Sequence, residues 1–335
     1  MFNLYKMLFL MTLMTGSLIS ISSYSWLGMW MGLEVNLLSI IPLFSNTKNM
    51  MNNEAALKYF ITQALASTIM LFSIILLSSN FIDSWENNFN LMFNSSLMTK
   101  MGAAPFHFWF PEVIEGLNWM NCLLLLTWQK MAPMIIVLYN NKMIIFMSVI
   151  ILFSMLISGF MGINQTSLRK IMAYSSINHI GWMLSSMLFM ETIWMLYFFI
   201  YFMITLNITI IFYMFNIFYM KQLFICLNKN NSFKMLFILN FLSLGGLPPF
   251  LGFLPKWMTI QMLIENNMYM ISMIMVLMTL FTLYFYIRIT FSTLMINMNE
   301  LNYYFQKSIK NSKLIFINIL TLFGLLMITV IFNFY

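Results

Sequence analysis

Four charged side chains stand where the residues around them are apolar. Glu34 lies in WLGMWMGLEVNLLSIIP, Lys100 in KMGAAPFHFWFPE, Lys130 in LLLLTWQKMAP and Lys256 in LSLGGLPPFLGFLPKWMTIQ. A charge within hydrocarbon costs roughly a few kcal/mol or more, so such residues commonly mark ion paths or proton relays. Desolvation lowers the proton affinity of a lysine, and a nearby carboxylate restores it. A lysine held between those two influences can take up and release a proton. The competing reading is a set of buried ion pairs that only hold helices together. It is weakened because three lysines would share one acid.

Each charge has neighbours that bear on its use. Glu34 needs a partner, and a lysine from another helix is the natural one. Gly28 and Gly32 form a GxxxG that lets a helix approach closely. Pro133, just after Lys130, is expected to loosen its helix and free carbonyls for water. His107 and His179 are further polar groups at membrane depth and candidates for passing a proton, although a lone histidine among aromatics is more often a packing residue. The run Phe106-His107-Phe108-Trp109-Phe110 is expected to form an interfacial belt. Glu112 and Glu115 are expected in a solvated loop.

Two segments should break their helices: Gly102-Ala103-Ala104-Pro105 just after Lys100, and Gly245-Gly246-Leu247-Pro248-Pro249, with Pro255 just before Lys256. Open backbone is tolerated at membrane depth only against protein or a wet cavity. Paired interrupted helices running in opposite directions mark inverted-repeat transporters. The match is loose, since one lysine precedes its break and the other follows.

The elements that must position these residues follow from composition. Of 335 residues, 61% are hydrophobic and only 7% charged, and mean hydropathy is +0.86. An ordinary soluble domain carries about 25% charged residues, so an all-α polytopic membrane protein is implied. Segments of about 20 apolar residues can each span a bilayer. Eleven are expected, near 3–23, 24–44, 55–79, 89–109, 117–139, 143–163, 171–190, 192–219, 235–259, 268–296 and 313–334. The longest connections lie near 220–234 and 297–312, and no soluble domain fits between the spans. One transmembrane domain over 1–335 is expected, with half-repeats near 1–139 and 143–296 and a last helix near 313–334. Lys6 is the only charge in the first 33 residues, so no targeting presequence is expected.

Eleven crossings put the termini on opposite sides and sort the loop charges. One side carries Lys6, Lys48, Lys58, Arg169, Lys170, Lys221, Lys229, Lys234, Lys307, Lys310 and Lys313. The other carries Lys142 alone, with Asp83, Glu86, Glu191 and Glu265. This eleven-to-one bias is what the positive-inside rule expects, with the N-terminus facing cytoplasm or matrix. Arg288, near a helix end, can snorkel to the positive side. The four deep charges are what the sorting leaves behind.

Several functions lose support. The net charge of +7 forms no basic stripe with interleaved aromatics, so nucleic acid is not an expected partner. Cys122 and Cys226 stand far apart, and no CxxC or HExxH occurs, which argues against a chain-borne iron–sulfur cluster or zinc. Nor is there a GxGxxG or GxxxxGK[ST] for a nucleotide.

The segments WLGMWMGLEVNLLSIIP, EAALKYFITQALAS, KMGAAPFHFWFPEV, LTWQKMAP, GINQTSLRKIMAYSSINHIGWM and LSLGGLPPFLGFLPKWMTIQ closely resemble the NADH dehydrogenase subunit 2 family of animal mitochondria. These are antiporter-like core membrane subunits of respiratory complex I. The likeness runs over nearly the whole chain, is weaker near 220–234 and after 297, and is greatest to insect forms. It implies two inverted five-helix repeats, each with a broken helix, and eleven helices where bacterial relatives have fourteen. By motif, the family's glutamate–lysine pair falls on Glu34 and Lys100, its central lysine on Lys130 and its exit-side residue on Lys256. The resemblance further implies no redox centre in this chain. NADH, FMN, iron–sulfur clusters and ubiquinone would belong to other subunits of the complex. Other core and supernumerary subunits are the implied partners, with phospholipids that include cardiolipin. The implied location is the mitochondrial inner membrane, N-terminus in the matrix and C-terminus on the intermembrane-space side.

Two rivals stay open at this point. A stand-alone cation/proton antiporter fits the four charges equally, although Glu34 is the only deep acid and no carboxylate cluster for sodium is visible. A structural scaffold, its buried charges serving as packing pairs, is the other. A redox subunit is disfavoured by the lack of cofactor ligands.

Overall fold

Hydrocarbon offers the backbone no hydrogen-bond partner but itself, so the apolar runs fold as helices. The computed structural model describes residues 4–46, 49–79, 85–141, 143–227 and 231–295, with Asn318 and Gly324. The expected last helix near 313–334 lies outside the described residues, apart from those two. Element contacts divide the chain into a first unit, residues 1–153, and a second, residues 154–335.

In the first unit, α1 (Leu4–Ser22), α2 (Trp26–Phe44) and α3 (Met50–Ser78) are long helices. Then come α4 (Glu86–Met101), α5 (Trp109–Gly116), α6 (Trp119–Leu126), α7 (Trp128–Tyr139) and α8 (Ile144–Ile163), which runs into the second unit. The second unit continues with α9 (Leu168–Met187), α10 (Glu191–Phe215), α11 (Met220–Leu227), α12 (Asn231–Gly245), α13 (Phe253–Glu265) and α14 (Tyr269–Met295). Among the described residues seven stretches are long and apolar enough to cross a membrane: α1, α2, α3, the α6–α7 stretch, α8, α10 and α14.

The remaining helices depart from that pattern for separate reasons. The α9 sequence is polar, yet every residue except Arg169 and Lys170 is buried. It tolerates burial because Ser175, Ser176, Ser185 and Ser186 each donate to the carbonyl three residues back, which satisfies their hydroxyls within the helix. The two interrupted helices, α4/α5 and α12/α13, come in short pieces.

Several local expectations are corrected. The loop expected after residue 109 is the short helix α5, and the long connection near 220–234 contains α11. Helix α3 begins at Met50, five residues earlier than expected. Of the two GxxxG glycines, only Gly32 serves helix approach. A Cβ there would lie 2.5 Å from the Ser20 nitrogen and 2.8 Å from the Gly16 carbonyl oxygen of α1, whereas Gly28 abuts Ser23 and Ser25. Gly28 is in the first turn, where its N–H donates to the capping Ser25 hydroxyl at 3.2 Å, so it faces its own cap.

Contacts within each unit pair the helix ends that strict alternation puts on one side. Lys58 Nζ lies 3.0 Å from both Glu54 and Glu112, linking the start of α3 to α5. The Tyr139 hydroxyl donates to the Ile21 carbonyl at 3.3 Å. In the second unit the Met220 N–H donates to the Thr166 carbonyl at 3.2 Å. Glu112 is thus ion-paired, where a merely solvated residue was expected. Arg288 is exposed and donates to the Ile163 carbonyl at 3.3 Å, as a snorkelling residue would.

Candidate functional site

Both interrupted helices end in the same way, with residues related by an offset of 144. Gly102 (φ 74) and Gly246 (φ 78) take up the left-handed conformation that glycine adopts without penalty. The Gly102 N–H donates to the Thr99 carbonyl and the Ala103 N–H to the Met98 carbonyl, at 3.2 and 3.0 Å. In the second unit the Gly246 N–H donates to Ser243 and the Leu247 N–H to Leu242, at 3.0 and 3.3 Å. Each pair is a Schellman motif, which satisfies two terminal carbonyls and leaves the next two, at Lys100 and Met101 or at Leu244 and Gly245, without helical donors. Three residues beyond each motif the chain turns again, through bonds from Phe106 to Ala103 and from Phe250 to Leu247.

The lysines use these breaks differently. Lys256, in the first turn of α13, reaches back to α12 and donates to the carbonyls of Leu244 and Gly245 at 3.3 and 2.8 Å. A cation there also meets the negative end of the helix dipole. The fit requires glycine at 246, since a Cβ would sit 2.7 Å from Lys256 Cδ. Lys100 is in the last turn of α4, and its own carbonyl accepts a bond from Gln63 Nε2 of α3 at 3.4 Å. Lys100 borders a small cavity with Leu33, Asn36, Leu37, Tyr59, Gln63, Gln129 and Pro133. Glu34 is close enough for its charge to act on Lys100. No ion pair within 4.0 Å joins the two among the described residues. Glu34 itself is half-buried, and its Oε1 has no hydrogen-bond partner among the described residues.

Lys130 is almost fully enclosed, at 1% exposure, against 7% for Lys100 and 6% for Lys256. Its ammonium lies 5.1 Å from the centroid of the Phe110 ring, a cation–π arrangement. The same ring would be 3.2 Å from a Cβ at Gly102, so Phe110 stands between the first break and Lys130. This corrects the interfacial-belt expectation: Phe108 is exposed, but His107 and Phe110 point inward. The helix carrying Lys130 is interrupted at Thr127, before Gln129, and α7 then runs through Pro133. The proline lacks the N–H that would bond the Gln129 carbonyl, and its ring crowds that carbonyl, so the strain falls on the preceding turn.

The histidines sit apart in kind. His107 is buried in the segment between α4 and α5, and its Nδ1 has no hydrogen-bond partner among the described residues. In the second unit His179 Nδ1 is 2.9 Å from the Tyr197 hydroxyl, and its ring is 5.0 Å from that of Tyr201. One turn further along α9, the Trp182 ring lies 5.9 Å from Lys256 Nζ. His179 and Lys256 therefore share one helix as a wall, which sequence spacing did not reveal.

A neutral set also went unnoticed in the sequence. Asn36 and Gln129 exchange side-chain hydrogen bonds of 3.0 and 2.9 Å, and the Tyr59 hydroxyl donates to Gln129 Oε1 at 3.3 Å. The available signal was an amide two residues after Glu34 and another directly before Lys130. Each is a polar residue in an apolar run, where a partner is needed.

Comparison with known proteins places this arrangement. Residues 23–282 match the model of the NADH:quinone oxidoreductase/Mrp antiporter transmembrane family. The chain is 50% identical over 333 residues to NADH-ubiquinone oxidoreductase chain 2 of Anopheles gambiae, covering 97% of each chain. It is 49% identical to the Locusta migratoria chain 2, covering 93% of this chain and 92% of that one. To that of Lemur catta it is 40% identical, over 86% and 85%. Its fold is similar to a chain of respiratory complex I from Thermus thermophilus with bound aureothin, at TM-score 0.87, 21% identity and coverage of 97% of this chain and 79% of that one. It is also similar to a chain of the Mrp complex from Dietzia, at TM-score 0.73, 16% identity and coverage of 84% and 59%. The broken helices, their buried lysines and these matches together establish that the chain belongs to the NADH:quinone oxidoreductase/Mrp antiporter transmembrane family.

Proposed function

We propose that the chain is a core membrane-arm subunit of respiratory complex I, part of a proton-translocating NADH:ubiquinone oxidoreductase. It moves protons through Glu34, Lys100, Lys130 and Lys256. The observation that carries this reading is the burial of three lysines, two of them at matching helix breaks. The identity to NADH-ubiquinone oxidoreductase chain 2 over 97% of the chain supports the assignment to that complex.

The mechanism has four steps. Electron transfer in other subunits perturbs the Glu34–Lys100 interaction. The change alters the proton affinity of Lys130. A proton passes along water and polar side chains, His107 and His179 among them, toward Lys256. It leaves on the side poor in basic loops. Moving one charge against 100 mV takes about 2.3 kcal/mol, so the step draws on redox energy. NADH, FMN, iron–sulfur clusters and ubiquinone act in other subunits. The relay is laid over two half-repeats, near 1–139 and 143–296. The chain lies in the mitochondrial inner membrane with its N-terminus in the matrix and its C-terminus on the intermembrane-space side, against other core and supernumerary subunits and phospholipids such as cardiolipin.

The test is Lys130→Met in the assembled complex, which keeps chain length and removes the proton site. Normal assembly with a sharp fall in coupled NADH oxidation and in protons moved per electron is expected. Survival of all three would overturn the relay.

A further inference from the structure

The Asn36–Gln129 pair bridges two of the three helices that carry the deep charges of the first unit. Asn36 is two residues from Glu34 on α2, and Gln129 is adjacent to Lys130 on α7. A reciprocal amide pair is self-complementary: each group donates once and accepts once, and it fixes both rotation and height of one helix against the other. Tyr59 adds a donor from α3, which ties a third helix to the same oxygen. All three side chains are buried, Asn36 and Tyr59 at 3% exposure and Gln129 at 9%.

These groups also wall the cavity that Lys100 borders. Its volume, counted for the centres of water molecules, is about 10 Å³. That is room for water, and a buried water needs two to four polar partners. The cavity offers Lys100, Gln63, Tyr59, Gln129 and Asn36. Space and chemistry therefore fit an ordered water.

We infer that Asn36 and Gln129 are positioning residues which, with Tyr59 and Gln63, hold one water against the Lys100 ammonium and keep the Glu34 and Lys130 helices in register around it. The water gives Lys100 a hydrogen-bond partner where no direct ion pair with Glu34 forms. Breaking the amide pair releases both helices and the water together. This inference rests on the proton-relay reading above.

The experiment compares three forms of the assembled complex: Gln129→Met, Tyr59→Phe and the double swap N36Q with Q129N. Each is assayed for assembly and for protons moved per electron. The unaltered complex is mapped at a resolution that shows ordered water. An ordered water within hydrogen-bond distance of Lys100 is expected, with at least a twofold loss of proton yield in Gln129→Met and restoration toward normal in the swap, which keeps both amides. A structural role alone would lower assembly without separating proton yield from turnover. If Gln129→Met does not assemble, Tyr59→Phe, which removes one hydroxyl, carries the test through its own proton yield. No water in the cavity, or normal proton yield in an assembled Gln129→Met or in Tyr59→Phe, overturns the inference. Lys130→Met run in parallel separates the two ideas: if it loses pumping while the amide variants keep it, only this inference fails, and if it keeps pumping, the relay itself fails.

Discussion

The two broken helices share a backbone and differ in how they spend a lysine. In the second unit the Lys256 ammonium closes the break, donating to the two carbonyls that the Schellman motif leaves over. In the first unit the equivalent carbonyl, at Lys100, is satisfied by the neutral Gln63. Lys100 itself borders a cavity and lies within the field of Glu34. One cation is part of the wall, and the other faces a space. A break in a membrane helix thus creates a demand for donors, and the identity of the donor decides whether a nearby charge is held or left responsive.

Six substitutions test that contrast. Lys256→Met has the largest expected effect. It strips two buried carbonyls of a charged donor, a loss of about 2–5 kcal/mol, which thermal inactivation of the assembled complex would register. Lys100→Met, measured beside it, should leave thermal stability nearly unchanged while lowering proton yield; equal destabilisation by both would erase the contrast. Gly246→Ala comes next. The left-handed conformation alone costs a non-glycine residue about 1–2 kcal/mol, and the new Cβ would press on Lys256 Cδ at 2.7 Å. Gly102→Ala meets the Phe110 side chain at 3.1–3.2 Å, so its midpoint should fall less.

Gln63→Leu follows, leaving the Lys100 carbonyl without its donor at about 1–3 kcal/mol. If it instead proves neutral, the first break does not need a separate donor and the parallel with Lys256 weakens. The smallest effect is expected for Glu112→Gln. Its ion pair with Lys58 is exposed, and such pairs contribute about 0–1 kcal/mol, less in high salt. A salt titration of stability should show the variant and the parent converging.

Much of the site was legible in the sequence, because the cost of charge in hydrocarbon makes Glu34, Lys100, Lys130 and Lys256 conspicuous. The breaks were legible too, since Gly-Pro segments cannot continue a helix. The partners were not. Tyr197 meets His179, and Asn36 meets Gln129 across 93 positions; a neutral polar residue in an apolar run announces a need for a partner but not which one. Phe110 looked like one more aromatic of an interfacial cluster, and only packing turns it inward over Lys130. Glu112 looked solvated because its partner lies 54 positions away.

The sequence by itself determined the all-α membrane architecture, the location of the interruptions and the four deep charges. These follow from local composition, through the need to satisfy backbone and charge within a few residues. Tertiary structure decided that the breaks match residue for residue, that Lys256 caps one while Gln63 caps the other, and that Lys100 is left to face a water-sized cavity. Those outcomes depend on which helices meet and at what height, and hydrogen bonds of about 3 Å are set by that packing rather than by the order of residues along the chain.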